Sequence, residues 1–357
     1  MNAVLEFFKK PFLRKYTNYI VVALFTVIFA ILSLTGGLKM GTQFLLEQIG
    51  IAVLLAVSLG MVVGFLGELS LGHAGFMCVG AYVGGKLSSL LVGAMGGNED
   101  SIVALLLALL VGGLVAAVFG IIIGLPALRL RGDYLAIVTL AFGEIVRSVF
   151  MNMPERLFGG TTGLETPRFD RKYLFVFAFL LVLACLAVTQ NLMRSKHGRA
   201  IVSIKDNEIA ARATGIDVTK YKLFVFTISS FFAGIAGVLY SYSNVRLQSV
   251  NFDYNYSIEI LVMVVLGGMG SINGSMIAAA LITFLNVKLQ TMLTGNLAVL
   301  QKLFYAIILI LIVIYKNAPG LKGFREKYNL KALFDKLFKK KPVAEDMADG
   351  KEGDDAE

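Results

Sequence analysis

The segment Arg194–Lys222, RSKHGRAIVSIKDNEIAARATGIDVTKYK, is the longest polar interruption between two apolar stretches of the chain. It contains seven Lys or Arg residues and three acidic residues. Loops that join membrane spans and carry an excess of Lys and Arg stay on the cytoplasmic side. The segment therefore predicts a membrane protein with a large basic loop at its inner face.

The pattern inside this segment is typical of short amphipathic helices. Gly215 suits the left-handed residue that ends a helix, Asp206 suits a helix N-cap, and Gly198 marks the other boundary. A solvated connecting loop is the alternative interpretation. The apolar residues that recur at roughly helical spacing are Ile201, Ile204, Ile209 and Ala213.

The composition indicates an all-α polytopic membrane protein. The 357 residues are 57% apolar and only 16% charged, which is too apolar for a soluble protein of this length. The net charge of +9 comes from basic residues that flank the apolar stretches, as orientation in a membrane requires. We therefore expect membrane lipid around the chain and no nucleic-acid partner.

We predict ten membrane spans, an even number that places both termini on the same side of the membrane, and the basic flanks indicate that this side is the cytoplasm. The predicted domains are a cytoplasmic N-terminal segment (1–18), a transmembrane domain (19–316) that includes the loop 194–222, and a cytoplasmic tail (317–357), first basic and then acidic. The basic residues before the first span resemble a signal peptide, but the apolar run is longer than a signal core, so a retained span is expected. The spans are about 19–35, 44–66, 74–93, 101–125, 134–152, 172–193, 221–242, 257–271, 274–291 and 298–316.

Two Gly-rich stretches interrupt the apolar pattern, one in each half of the chain. They are Gly64–Gly75, GFLGELSLGHAG, and Gly267–Ser275, GGMGSINGS. Irregular backbone at membrane depth occurs where it lines a cavity or is buried in protein, and paired interruptions mark transport pathways. Ordinary turns between spans remain the alternative, and an inverted structural repeat stays open because no strict sequence repeat accompanies the pair. The predicted pathway residues are Ser70, Gly72, His73, Gly75, Gly270, Ser271, Asn273 and Gly274.

Glu144 and Arg147 lie on one face of a predicted span, because they are three residues apart. Charges at this depth pair with one another and face the interior of a bundle. We interpret them as an intramembrane ion pair that joins helices, with a pathway lining as the alternative.

The motifs tested for chemistry predict neither a catalytic residue nor a metal site. Gly80–Leu87 is close to a phosphate-binding loop but has Leu87 where Ser or Thr would bind magnesium. The histidines His73 and His197 lie far apart without metal-ligand spacing. We expect no cofactor on this chain and no ATP hydrolysis by it.

Five blocks occur in order along the chain: Ser70–Tyr82, Leu128–Arg147, Phe158–Gly163, Gly198–Gly215 and Gly267–Gly274. Together they resemble the membrane subunits of branched-chain amino-acid ABC importers, and the block LRGDY resembles the longer of the family's two paired permeases. Within the fourth block, EIAARATG looks like the EAA signature of ABC-importer membrane subunits, with Ile209 at the signature's Glu position and no later Leu-Pro. Thr162 and Ser275 also depart from the family's pattern, which has Asn and Pro there.

The resemblance implies a pore-forming subunit in the bacterial cytoplasmic (inner) membrane. An extracytoplasmic binding protein would deliver leucine, isoleucine, valine or a related amino acid, a second homologous permease would complete the pore, and two ATP-binding subunits would hydrolyse ATP. The resemblance assigns ATPase coupling to Arg199, Glu208, Ala210, Ala211, Arg212 and Gly215, and an outer loop to Gly159, Gly160, Thr161 and Thr162.

Three other transporter classes remain open. An ABC permease for urea or short amides shares the same fold. An ion-coupled secondary amino-acid transporter needs buried Asp, Glu or His residues, and Glu144 is the candidate at depth. A passive channel does not need the elaborate loop 194–222.

Overall fold

The computed structural model describes residues 11–96, 100–130, 132–244 and 246–292, with five single helical positions farther along the chain, and no side chains before residue 18. The predicted cytoplasmic tail and most of the predicted span 298–316 therefore lie outside the described residues. The five single positions are Leu303, Ala306, Ile307, Ile310 and Ile314.

The described chain is a bundle of twelve helices with one short two-stranded sheet. Two strands, β1 (Leu164–Glu165) and β2 (Arg246–Leu247), pair antiparallel, with Leu164 opposite Leu247. A π-helical segment, Met61–Leu66, continues α2, and a 3-10 turn, Ser249–Phe252, precedes α11. The helices are α1 (Pro11–Leu34), α2 (Met40–Gly60), α3 (His73–Ala94), α4 (Ile102–Ala127), α5 (Asp133–Asn152), α6 (Glu155–Phe158), α7 (Arg171–Arg194), α8 (Lys196–Asp206), α9 (Glu208–Ala213), α10 (Val218–Ser243), α11 (Tyr254–Gly267) and α12 (Ile272–Met292).

The predicted class, an all-α polytopic membrane protein, is confirmed. Within the described residues, seven helices are long and apolar enough to cross a membrane, and two shorter apolar helices, Asn18–Leu34 and Tyr254–Gly267, accompany them. The predicted span 257–271 is wrong in its bounds, because α11 begins at Tyr254 and ends at Gly267. At 1.5 Å per residue, its 14 residues extend only about 21 Å, less than the roughly 30 Å of a hydrocarbon core. The first helix also begins eight residues before the predicted span, at Pro11.

The centre of the bundle is held together by close backbone contacts between α3, α4 and α10. A Cβ atom on Gly80 would lie 2.2 Å from the main-chain oxygen of Gly234, and one on Gly237 would lie 2.0 Å from that of Met77. Small residues allow membrane helices to approach this closely, and packing replaces the hydrophobic driving force that lipid removes. The faces of α4 and α5 that point away from this centre instead expose apolar side chains.

We expect Gly80→Ala to destabilise the protein by about 1–3 kcal/mol, because the new methyl group would clash with the main-chain oxygen of Gly234, which cannot rotate away as a side chain can. Gly93→Ala is the matched control on the same helix, since nothing lies within 4 Å of its added Cβ. Thermal melting of the purified protein in detergent measures both. Equal melting temperatures for the two variants would contradict the packing described for α3 and α10.

Candidate functional site

The basic segment folds into two helices, α8 and α9, as its periodicity predicts. Ser195 caps α8, its side-chain oxygen accepting from His197 N and Gly198 N. Gly198 therefore lies inside α8, and the predicted boundary there is wrong. Asn207 caps α9, accepting from Ile209 N at 3.1 Å and Ala210 N at 3.0 Å.

The predicted N-cap, Asp206, is also wrong, because this residue ends α8. An Asn one position later supplies the same type of acceptor, which is why the sequence alone did not separate them. Gly215 has φ +86°, the left-handed conformation predicted for it at the end of α9. Arg199 lies on α8 with an exposed side chain.

The residues assigned to ATPase coupling divide between two faces of α9. Ala211 is only 4% exposed and packs within this chain, so a partner protein cannot contact its side chain directly. Ala210 and Ala211 therefore lie on different faces of α9, and their joint role in ATPase coupling stays a prediction. Ile209 is 74% exposed, and Ala210 and Arg212 are exposed beside it. A partner that binds α9 meets these three side chains.

Lys222, at the start of α10, joins α9 to the first Gly-rich stretch. Its side chain is buried, and its ammonium group forms salt bridges with Glu68 and, at 3.2 Å, with Glu208. Arg212 also contacts Glu208, at 2.9 Å. Separating a buried charge from its partner is costly, because the charge is then left uncompensated in a poorly solvated place. Lys222 therefore joins α9 to the residue Glu68 through two ion pairs.

A second link runs from α8 to the π-helical segment. The ammonium group of Lys205 donates to the main-chain oxygen of Gly64 at 2.7 Å. The π-helical segment ends at Gly67, whose left-handed φ of +80° turns the chain. A Cβ at Gly67 would lie 2.8 Å from Lys205 Cγ, so glycine at this position also avoids a clash with the lysine side chain. π-helical turns are frequent at functional sites.

The two Gly-rich stretches meet in the fold. A Cβ on Gly64 would lie 2.7 Å from Gly270 N, so the backbones are in direct contact. The turn between α11 and α12 contains Gly268 and Gly270, both with positive φ. The sequence predicted two paired interruptions, and the tertiary structure places them side by side, within reach of Lys205.

The first interruption lies earlier than predicted. The non-helical residues are 67–72, so the predicted pathway residues His73 and Gly75 belong to α3. Ser70 and His73 are buried, and His73 Nε2 lies 2.8 Å from Ser58 Oγ. A Cβ on Gly72 would lie 2.4 Å from Thr139 O.

These four residues pack inside the chain because α3 and α5 approach too closely to leave a channel between them. A Cβ on Gly75 would lie 2.7 Å from Gly143 Cα. All four residues are buried in this structure, and a pathway role for Ser70, Gly72, His73 and Gly75 stays a prediction.

The second interruption is accessible. Gly270 and Ser271 are exposed and line a cavity of about 10 Å³ together with Gly60 and Ser275. Asn273 and Gly274 lie in the first turn of α12. Asn273 Oδ1 accepts from Asn18 Nδ2 at 2.6 Å, which ties α12 to α1. Gly274 packs against Gly267, where its Cβ would lie 1.9 Å from the carbonyl oxygen.

Glu144 and Arg147 form an ion pair at 2.8 Å on α5. Glu144 Oε1 also accepts from Tyr254 N at 2.9 Å, at the start of α11. Both side chains are partly exposed. The geometry is that of a link between α5 and α11, one of the two roles that the sequence left open.

The loop predicted to face outward is a compact platform beside β1 and β2. Thr162 Oγ1 donates to Gly159 O at 2.7 Å, and Gly163 N donates to the same oxygen. Gly160 has a positive φ, and Thr161 is exposed at the tip. This folded loop lies after α5, at the end of the bundle away from α8 and α9.

One buried charge cluster was missed by the sequence reasoning. Glu47 on α2 is buried, accepts from Ser243 Oγ at 2.7 Å and lies 3.7 Å from an Arg171 nitrogen. The available signal was an acidic residue within an apolar span. Lys205 and Lys222 were missed for a different reason: a lysine at the edge of a basic loop is usually a solvated charge.

This fold, with two helices that reach the interrupted spans, defines a polytopic helical membrane protein of the transporter class. Residues 41–314 match the family described as branched-chain amino acid transport system / permease component, and the chain belongs to this family. The resemblance noted from the five sequence blocks is thereby confirmed.

Relatives from bacteria and archaea agree with this assignment. The chain is 37% identical over 264 residues to the high-affinity branched-chain amino acid transport system permease protein LivM of Salmonella typhimurium, covering 65% of this chain and 60% of that protein. It is 28% identical to the probable LivM of Methanocaldococcus jannaschii, over 69% of this chain and 80% of the relative. It is 26% identical to the ribose import permease protein RbsC of Escherichia coli, over 76% of this chain and 84% of the relative. No solved structure matches the chain significantly.

We expect Lys222→Gln to destabilise the protein by about 1–3 kcal/mol, because Glu68 loses its salt bridge and Glu208 keeps only the one with Arg212. The matched control is Lys220→Gln on the same helix, whose ion pair with Asp217 is solvent-exposed and contributes little. Thermal melting in detergent measures both variants. A melting temperature of Lys222→Gln equal to that of the control would show that the salt bridges of Lys222 with Glu68 and Glu208 do not stabilise the protein.

Proposed function

We propose that this chain is a pore-forming permease subunit of an ATP-driven importer for branched-chain or related hydrophobic amino acids. The observation that carries the proposal is the double link from α8 and α9 to the interrupted spans. Lys205 holds Gly64, Lys222 holds Glu68 and Glu208, and Gly64 touches Gly270. An importer driven by a separate ATPase needs such a connection between a docking surface and the membrane segments that move.

A permease subunit of such an importer works together with three kinds of partner. Two ATP-binding subunits hydrolyse ATP and dock on α9 through Ile209, Ala210 and Arg212. A second homologous permease completes the pore, and an extracytoplasmic amino-acid-binding protein binds the platform formed by Gly159–Gly163 and β1–β2. The chain itself is a transport subunit without a catalytic role, and it requires no cofactor.

The coupling mechanism uses the chain's own charged residues. A displacement of α9 moves Glu208, and Lys222 transmits the displacement to Glu68 because the buried cation cannot lose either acid without a large cost. Lys205 moves the π-helical segment in the same way through Gly64 O. Both links end in the first Gly-rich stretch, which touches the second one at Gly64 and Gly270, so docking at α9 alters the contact between the π-helical segment and the turn before α12.

The family description and the LivM relatives favour a branched-chain amino acid as the substrate. The ribose permease among the relatives shows that similar chains carry unlike solutes, so an amide or urea substrate is the alternative within this class. An ion-coupled carrier is less well supported, since Glu144 is engaged by Arg147 and Tyr254 N.

Leucine uptake by proteoliposomes tests the proposed function. The complex reconstituted with its ATP-binding subunits should accumulate leucine when ATP and the loaded binding protein are present, and it should accumulate none when either is missing. Uptake driven by a proton or sodium gradient without ATP would support a secondary transporter instead. ATP-dependent uptake of urea but not of leucine would show that the substrate class is short amides and not amino acids.

We expect the platform and the helix pair to lie on opposite sides of the inner membrane, with both termini in the cytoplasm. Thr161 and Ile209 are both exposed positions for single cysteine labelling. The native cysteines, Cys78 and Cys185, are buried, which keeps background labelling low. A membrane-impermeant thiol reagent added to intact cells should label Thr161→Cys and not Ile209→Cys. The reverse labelling would invert the proposed orientation.

We expect Ile209→Asp to weaken ATPase docking without damage to the fold, because this exposed apolar side chain contacts nothing that the new carboxylate would disturb within the chain. An unpaired carboxylate in a docked surface costs about 1–3 kcal/mol, or roughly a 5- to 150-fold weaker complex. Co-purification of the ATP-binding subunits and ATP turnover stimulated by loaded binding protein are the measurements.

Two further variants distinguish docking from folding. Ala211→Asp should lower the melting temperature of the isolated chain, because Ala211 is buried within it. Ile209→Val keeps the apolar surface and should retain the partner. Wild-type ATPase retention and stimulation in Ile209→Asp would exclude α9 as the docking surface.

A further inference from the structure

A polar cavity lies between α2, α10, α11 and α12, at the end of the bundle near β2. Its volume is about 320 Å³, at the lower end of the range of about 300–1,000 Å³ for small-ligand pockets. This cavity lies away from the Gly-rich stretches and was not indicated by the motifs. The polar side chains that line it and carry the argument are Gln48, Asn244, Asn251, Glu259, Asn286 and Gln290.

Such a lining is unusual for helices that are otherwise apolar. Five amides and one carboxylate converge from four helices or their ends and the 3-10 turn, and polar groups inside a membrane bundle are costly unless they serve a solute or water. Gln48 Nε2 donates to Ser243 Oγ at 3.0 Å, and Asn244 Nδ2 donates to Tyr240 O at 2.9 Å. A side-chain amide has two N–H groups and a carbonyl oxygen, so one bond leaves capacity for a ligand.

The lining matches the parts of an α-amino acid. Glu259 is the charged residue among the lining residues described, and a carboxylate binds an ammonium group by charge-assisted hydrogen bonds. The amide N–H groups suit the substrate's carboxylate. Ala52, Met263 and Val287 add an apolar wall for a branched side chain. Because the substrate's carboxylate meets neutral donors there, binding is weak enough for release.

One face of α2 lines both this cavity and a smaller one beside the second Gly-rich stretch. Gln48 and Ala52 line the polar cavity, and Ala56 and Gly60 follow at the same four-residue spacing and line the 10 Å³ cavity beside Gly270. That second space is too small for an amino acid. A solute that followed this face of α2 would therefore meet the contact between Gly64 and Gly270, next to the hydrogen bond of Lys205 with Gly64 O.

We infer that this polar cavity is a transient binding site for a zwitterionic α-amino acid within the permease itself, with Glu259 receiving the ammonium group. The inference rests on the proposed function, because it places a substrate site on the same route. It also implies that this chain takes part in substrate selection, which would otherwise belong to the binding protein alone.

Glu259→Gln tests the role of the charge. The substitution keeps an oxygen that can accept from Asn286 Nδ2, so the contact at 3.2 Å is retained. ATP-driven leucine uptake by the reconstituted importer should fall about tenfold or more, as loss of a charged hydrogen bond predicts. Asp253→Asn is the matched control, because Asp253 caps the same helix outside the cavity and Asn caps as well. It should transport as the wild type does.

Cysteine protection tests binding without transport. Gln290→Cys lies at the exposed edge of the cavity, and the purified complex without ATP or binding protein is labelled with a thiol reagent. Millimolar leucine should slow the labelling, whereas 4-methylpentanoate, which lacks the ammonium group, and urea should not. The protection by leucine should disappear when Glu259→Gln is added.

The outcomes separate the site from the proposed function. Wild-type importer that takes up no leucine with ATP contradicts the proposed function, while protection by leucine still supports the site. Leucine uptake that is unchanged in Glu259→Gln overturns the site and leaves the proposed function standing. Absence of leucine protection, or equal protection by 4-methylpentanoate, overturns the site as well.

Discussion

The buried ammonium group of Lys222, between Glu68 and Glu208, is the interaction that joins the helix α9 to the first Gly-rich stretch. Three elements meet at this one cation: the loop after α2, which is distant in the sequence, the helix α9 and the start of α10. A cation with two acidic partners at the edge of a membrane bundle restrains all three, because separation from either acid leaves an uncompensated charge in a poorly solvated place. The pair of helices is therefore part of the membrane domain and not a loose connection.

The π-helical segment explains how the same region can also move. A regular helix would use the Gly64 carbonyl internally, but here that oxygen accepts from Lys205, and the helix ends at Gly67. Gly64 and Gly270 bring two backbones into contact with no side chain between them. Packing is what holds such a contact together. In the mechanism that we propose, small shifts transmitted by the two lysines open or close it.

The polar cavity and the packed first interruption assign different roles to residues that looked alike in the sequence. Ser70, Gly72, His73 and Gly75 fill the space between α3, α5 and α2, where glycine allows close approach. The amides and Glu259 line open space instead. In our proposal the solute follows the faces of α2 and α12 that line the polar cavity. The first interruption is then the segment that α8 and α9 displace.

The sequence by itself determined the membrane class, nine of the helices near the predicted spans, the helical nature of the basic segment and the ion pair of Glu144 with Arg147. These features follow from local apolar runs, helical periodicity and spacing, which need no tertiary information. Only the tertiary structure decided that Ala211 faces inward, that Lys205 and Lys222 reach the first interruption, and that Gln48, Glu259 and Asn286 share one cavity. Each of these depends on which helix packs beside which, and hydrophobic periodicity gives the apolar face of a helix but not the neighbour that covers it.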